Sequence, residues 1–176
     1  MRFRTLFFTL FVTHLAAAHP LEWLGLASWD VEGYAKDNPI GPTTGGEGGE
    51  TVTVDNAADF KAAVTGNDPR IVLVKGEINL PSRLKIGANK SVIGFGKTAH
   101  ITGSGLDVYH VSNVIIRNLK ISFIKDNDCI TIRNSTRVWV DHNEFESDIS
   151  KGPDFYVSAF AQPTPEKDAD LLRTAK

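Results

Sequence analysis

Two carboxylates stand two residues apart in Asp126-Asn127-Asp128, just ahead of the apolar run Cys129-Ile130-Thr131-Ile132. Side chains alternate across a strand, so positions i and i+2 share a face. Two hard oxygen donors aimed the same way can serve a divalent cation. The same tripeptide also has the composition of an ordinary solvated acidic turn, and the residues alone leave both readings open. A second pair, Asp141-His142, has the makings of a general acid–base couple. It reads better as a structural pair at a bend of the chain. The single cysteine, Cys129, lies inside an apolar run and reads as a small hydrophobe rather than a nucleophile. His110, after Tyr109, reads as a turn or edge residue. The glycine-dense stretch from Gly33 to Glu50 could suggest a phosphate cradle. It lacks both a Gly-Lys-Ser/Thr and a strand-Gly-x-Gly-x-x-Gly context, and is expected to be a surface loop.

The elements that must carry these residues are short. Thr51 to Val54 alternates and is β-branched, which predicts a strand. Asn56 is a predicted cap for a helix over Ala57 to Val64, with Asp59 in its first turn and Phe60 and Val64 on one face. Gly66-Asn67-Asp68-Pro69 ends it. From Ile71 onward short apolar runs recur: Ile71 to Val74, Ser91 to Gly94, Val114 to Ile116, Ile130 to Ile132 and Val138 to Val140, with His100 to Thr102 and Leu119 to Ile121 between them. Aligning Val92, Val114 and Val138 gives a repeat near two dozen residues, which suits a solenoid with about three short strands per rung. In that frame Gly96, Asn118 and His142 occupy the bend. A leucine-rich repeat shares the period but its leucine spacing is absent, and a β-sandwich is the third choice.

Composition narrows the partners. A formal net charge of -2, with no Lys/Arg cluster, argues against nucleic acid. Arg2 and Arg4, the apolar stretch from Leu6 to Val12 and the small residues Ala16-Ala17-Ala18 read as a secretory signal peptide over residues 1–18, too short for a membrane span. With one cysteine, no intrachain disulfide is expected. In a secretory compartment Asn89-Lys90-Ser91 and Asn134-Ser135-Thr136 are glycosylation sequons, at least one of them expected to be used.

Several stretches, in order, carry a family resemblance. They are Gly33 to Gly49, Val74-Lys75-Gly76-Glu77-Ile78, Ser91 to Gly96, Ile101 to Leu106, Asn113 to Leu119, Asp126 to Ile132, and Val138-Trp139-Val140-Asp141-His142-Asn143. Together they resemble the secreted pectate lyases of polysaccharide lyase family 1, of the fungal type, over roughly residues 30–156. The resemblance implies an all-β, right-handed single-stranded parallel β-helix, a calcium ion, and cleavage of polygalacturonate by β-elimination. It matches Asp126 and Asp128 to the family's first pair of calcium-binding carboxylates. It matches Asp141-His142 to a Trp-x-Asp-His motif that does not supply the eliminating base.

The implied organisation is a leader at 1–18, an N-terminal segment and Gly-rich loop at 19–50, a partial β-helix at 51–156 and an atypical tail at 157–176. The tail departs from the family pattern. The chain has no Arg-x-Pro-x-x-Arg stretch, where the family's catalytic arginine is expected, so no catalytic residue is assigned and an incomplete, inactive form is expected. The expected partner is polygalacturonate of the plant cell wall, met by an extracellular monomer with no membrane or nucleic-acid role. The alternatives are a non-catalytic pectin-binding β-helix, with Arg117 and Lys120 as outward-facing candidates, and a structural solenoid.

Overall fold

The computed structural model describes residues 30–124 and 128–146. The expected leader, Asp126 and the tail at 157–176 lie outside them. The described chain opens with a short 3-10 turn at Gly33–Ala35, then β1 (Glu50–Val54) and α1 (Ala57–Val64). Strands follow in threes: β2 (Arg70–Val74), β3 (Glu77–Asn79) and β4 (Leu84–Lys85); β5 (Lys90–Gly94), β6 (His100–Gly103) and β7 (Leu106–Tyr109); β8 (Ser112–Arg117), β9 (Lys120–Ile124) and β10 (Ile130–Arg133). β11 (Thr136–Asp141) and β12 (Glu144–Glu146) begin the next turn.

Each turn contributes one strand to each of three sheets, ordered β1-β2-β5-β8-β11, β3-β6-β9-β12 and β4-β7-β10. Every pairing among the described residues is parallel. The result is a parallel β-helix of about four turns, the expected fold.

Alternate residues of the short strands fill its interior. Val72, Val92, Ile116 and Val140 stack in one register column of the five-stranded sheet. Ile78, Ile101, Ile121 and Phe145 do so in the four-stranded sheet. Leu84, Leu106 and Ile130 line the three-stranded sheet. These residues belong to a single apolar cluster, and each fully buried aliphatic side chain contributes about 1.5–3 kcal/mol.

The helix closes one end of this core. The Asn56 side chain accepts from Asp59 N at 3.0 Å, capping the first turn as expected. Phe60, Ala63 and Val64 are buried in the main cluster. A lysine holds the segment after the helix. Lys90 Nζ, on a residue 1% exposed, donates to the carbonyls of Gly66 (2.9 Å), Asp68 (2.6 Å) and Ala88 (2.9 Å).

The bends are built on left-handed residues. Asn89 (φ 54°), Asn113 (φ 65°) and Arg137 (φ 51°) form one corner column, and His110 (φ 53°) and Asn134 (φ 50°) another. Asparagine is among the residues that tolerate this region best.

Two expectations need correcting. Val92 pairs with Ile116, not Val114, a step of 24 residues (92 to 116), whereas Val114 does pair with Val138. The expected frame was therefore two residues out on its first rung. Gly96, Asn118 and His142 all adopt positive φ, but the strand register places Asn118 beside Gly94, not Gly96, and Asn118 Nδ2 donates to both carbonyls. Two successive apolar runs of the same residue types fit either register; the asparagine corners decide it.

The glycine-rich stretch is also more than a surface loop. It lies against the outer face of the five-stranded sheet, where Asn113 Oδ1 accepts from Thr44 N (2.7 Å) and Gly45 N (2.8 Å) and Ser91 Oγ accepts from Gly46 N (2.9 Å). A Cβ on Gly46 would stand 2.0 Å from the Arg70 carbonyl oxygen, so only glycine permits this approach.

Candidate functional site

Asp128 lies just before β10, at the edge of the three-stranded sheet. That sheet turns Leu84, Leu106 and Ile130 inward, so alternation sends Lys85, Asp107 and Thr131 outward in one register row, with Tyr109 and Arg133 in the next outward row. Arg83, just before β4, reaches across the whole sheet. Its Nη1 donates to Thr131 Oγ1 and to the Leu106 carbonyl (3.4 Å), and its Nη2 donates to the Asp128 carbonyl (3.1 Å). Thr131 Oγ1 in turn donates to Asp128 Oδ2 at 3.2 Å. Asp128 is thus held at its backbone by an arginine and at one carboxylate oxygen by a hydroxyl. Among the described residues nothing hydrogen-bonds its other oxygen.

The rest of the face is charged and aromatic. Arg133 Nη2 lies 3.6 Å from Asp107 Oδ1, an oxygen that is buried and accepts no hydrogen bond among the described residues. The Arg133 guanidinium sits 4.9 Å from the Tyr109 ring centroid and Lys85 Nζ 5.6 Å from it. Two cations therefore flank one aromatic ring. His110 meets that ring edge-on, with centroids 4.1 Å apart, at the corner where it was expected.

The other sequence candidates lie on different faces. Asp141 ends β11 on the five-stranded sheet, where its Oδ2 pairs with Arg117 Nε at 3.1 Å and with His142 Nδ1. The Arg117 guanidinium also lies 5.3 Å from the Trp139 ring centroid. The couple is engaged with Arg117 at this corner. Lys120, on the four-stranded sheet, is bound by Glu146 (2.8 Å) and Glu144 (3.1 Å). Hydrogen bonds that Lys120 donates to Glu146 and then to Glu144 raise its pKa, and Lys120 in turn lowers that of Glu146. Arg117 and Lys120 thus have acidic partners and do not share a face with Asp128. Cys129 is half-buried against the core, its Sγ 3.6 Å from the Ile121 carbonyl.

Arg83, Lys85, Asp107, Tyr109, Thr131 and Arg133 were not singled out in the sequence. The signal that could have found them is register: one outward residue per turn at equivalent positions, such as 85, 107 and 131.

A hard cation fits part of this geometry. Asp128 presents a positioned carboxylate with one oxygen unengaged, the right donor chemistry for calcium. Among the described residues no cluster of three or more His, Cys, Asp or Glu side chains is arranged to hold a metal. Asp126 lies outside them.

The profile of the pectate lyase family matches residues 9–152. The chain belongs to the pectate lyase family. It is 43% identical over 124 residues to pectate lyase plyB of Emericella nidulans, covering 69% of this chain and 37% of that protein. It is 36% identical over 159 residues to the pectate trisaccharide-lyase of Bacillus licheniformis, covering 84% of this chain and 45% of that one. Among solved structures, a pectate lyase from a Bacillus species in complex with trigalacturonate superposes with a TM-score of 0.62 at 27% identity, covering 71% of this chain and 45% of that chain. The chain spans between 37% and 49% of the length of the fungal pectate lyases it matches first. Among the described residues no helix is long and apolar enough to cross a membrane.

Proposed function

We propose that this chain supplies the polygalacturonate-binding face and the first calcium carboxylates of a secreted, pectate-degrading β-helix that acts as a monomer. The observation that carries the reading is Asp128, fixed by Arg83 and Thr131 at the edge of an outward row that also holds Lys85 and Asp107. Lys85, and Arg133 shared with Asp107, give that face two cations for the carboxylates of an anionic polysaccharide, and Tyr109 gives it an apolar surface for a sugar ring. Asp126 and Asp128 would hold the ion. When bound, calcium neutralises the C6 carboxylate of a galacturonate and stabilises the charge that develops on it as the C5 proton is lost. The elimination breaks the C5–H bond and the bond from C4 to the glycosidic oxygen and forms the C4–C5 double bond; the C5 proton passes to a base, the departing oxygen takes up a proton as a new hydroxyl, and a 4,5-unsaturated uronide remains.

A second reading is favoured by one feature. None of the 176 residues forms an Arg-x-Pro-x-x-Arg stretch, so the chain as it stands is expected to bind pectate without cutting it. Retention on polygalacturonate-agarose with calcium and with EDTA, beside an absorbance assay for unsaturated uronide, separates the two. Calcium-dependent retention without absorbance supports binding alone; both together support the complete lyase. Retention that is the same in EDTA, or none at all, overturns the calcium site. By calorimetry, calcium should bind with a Kd of roughly 10⁻⁴ to 10⁻³ M, the range of extracellular sites, and Asp128→Ala should abolish it.

A further inference from the structure

The asparagines of the two sequons of this chain both stand at bends, in different corner columns and in opposite surroundings. Both asparagines are left-handed, at φ 54° for Asn89 and φ 50° for Asn134. Asn89 is built into the fold on every polar atom. Its Nδ2 donates to the Asn67 carbonyl at 2.9 Å, and its Oδ1 accepts from Asn113 Nδ2 at 2.9 Å. Its backbone N donates to the Ser112 carbonyl, and its own carbonyl accepts from Arg70 N, both at 3.1 Å. Its sequon partners Lys90 and Ser91 are each 1% exposed. One Nδ2 hydrogen already points at the Asn67 carbonyl, so a sugar in place of the other would crowd the 66–68 segment that Lys90 clamps. Asn134 is exposed, and its Nδ2 has one neighbour, His110 Nε2 at 3.4 Å, the long limit of a hydrogen bond.

We propose that Asn134 is the N-glycosylation site of this chain and that folded protein carries no glycan on Asn89. The proposal rests on the secretion stated above. In the transfer, Asn134 Nδ2 attacks C1 of an oligosaccharide carried on a lipid pyrophosphate. The N–C1 bond forms, the C1–O bond to the pyrophosphate breaks, the lipid pyrophosphate leaves with the electron pair, and the amide nitrogen gives up one proton. The fold explains why the product is tolerated. Asn134 follows Arg133 at the bend between the three-stranded and five-stranded sheets, and only the weak contact to His110 is lost. The glycan would then border the Tyr109–Arg133 face on its His110 side, without displacing any residue of the register row Lys85, Asp107 and Thr131.

The test is site mapping on the full chain synthesised with eukaryotic microsomes and expressed in a secreting eukaryotic host. Amidase release of glycans in isotopically heavy water marks each formerly glycosylated asparagine as labelled aspartate. The expected result is label at Asn134 and none at Asn89 in the soluble, folded fraction, with loss of the glycan in Asn134→Asp. Removing the sequon hydroxyl with Thr136→Val should have the same effect while leaving Asn134 in place. Label on Asn89 in folded protein overturns the proposal. So does an unmodified Asn134 in a chain that is protected from added protease inside the microsomes. A chain that stays protease-sensitive outside them overturns it together with the secretion on which it rests, and protease protection tells the two failures apart.

Discussion

Replacing Asn113 tests how the glycine-rich loop is held to the solenoid. Its Oδ1 accepts from Thr44 N at 2.7 Å and Gly45 N at 2.8 Å, and its Nδ2 donates to the Gly45 carbonyl at 3.0 Å and Asn89 Oδ1 at 2.9 Å. The residue is 6% exposed and sits at φ 65°. Each such bond contributes about 0.5–1.5 kcal/mol net, and a buried N–H left without an acceptor is penalised by about 1–3 kcal/mol. Holding a non-glycine residue other than asparagine or aspartate in the left-handed region adds roughly 1–2 kcal/mol. Partial withdrawal of the loop into water recovers some of this, so Asn113→Ala should lose about 3–5 kcal/mol. Asn113→Gly loses the same bonds but not the backbone strain, and should fall about 1 kcal/mol short of that loss. Guanidinium unfolding followed by tryptophan fluorescence measures both, and limited trypsin digestion at Lys36 reports release of the loop. A loss below about 1 kcal/mol in both variants would refute the assignment of the loop's anchorage to Asn113. A glycine variant as unstable as the alanine one would refute the strain component.

Two further perturbations follow from the same structure. Lys90→Met leaves three carbonyls without their donor; two belong to the exposed residues Gly66 and Asp68 and rehydrate readily, so the loss should be about 2–4 kcal/mol in a denaturant titration. Desolvation first, and then Arg70, lowers the Lys90 pKa below 10.5. The unfolded chain therefore binds the extra proton between the folded value and 10.5, and the Lys90 contribution should become more favourable as pH rises through that window; a wild-type-minus-Lys90→Met stability difference that falls there contradicts this sign. Phe123 is 61% exposed at φ 56°, with its ring tilted against His100 at 6.2 Å; Phe123→Gly should raise the melting midpoint by the equivalent of about 0.5–1 kcal/mol through relief of backbone strain, and a fall would show that the ring contact outweighs it.

The fold was legible because its signals are local. Apolar runs of three or four residues announce most of the strands, and Asn56 with Phe60 and Val64 announces the capped helix. What the runs do not carry is register, since Ser91-Val92-Ile93 can slide by two along Val114-Ile115-Ile116 and still bury apolar side chains. β4 was missed because two residues, Leu84-Lys85, have no period to detect. Of the candidate site, the sequence points to Asp128 through its spacing from Asp126 and the strand that follows, whereas the residues that position it carry no such signal. Arg83 meets the Asp128 carbonyl 45 residues away and Thr131 48 residues away, and nothing beside Arg83 in the chain marks it as different from any surface arginine.

That failure follows from how a solenoid is wound. It turns a separation of one rung into contact, so the informative neighbour of a residue lies a full turn away. Asn89 meets Asn113, Asn118 reaches the Gly94 carbonyl, His110 meets Asn134, and Leu119 N donates to Asn143 Oδ1, each across 24 residues. Arg83 spans two turns of the three-stranded sheet and couples β4, β7 and β10 through Leu106, Thr131 and Asp128. The outward row is thus assembled only when three successive turns are in register. A slip of one residue at any corner would turn Asp107 or Thr131 inward and send Leu106 or Ile130 to solvent. The asparagine corners that fix register are therefore as necessary to the placement of Asp128 as the arginine that touches it.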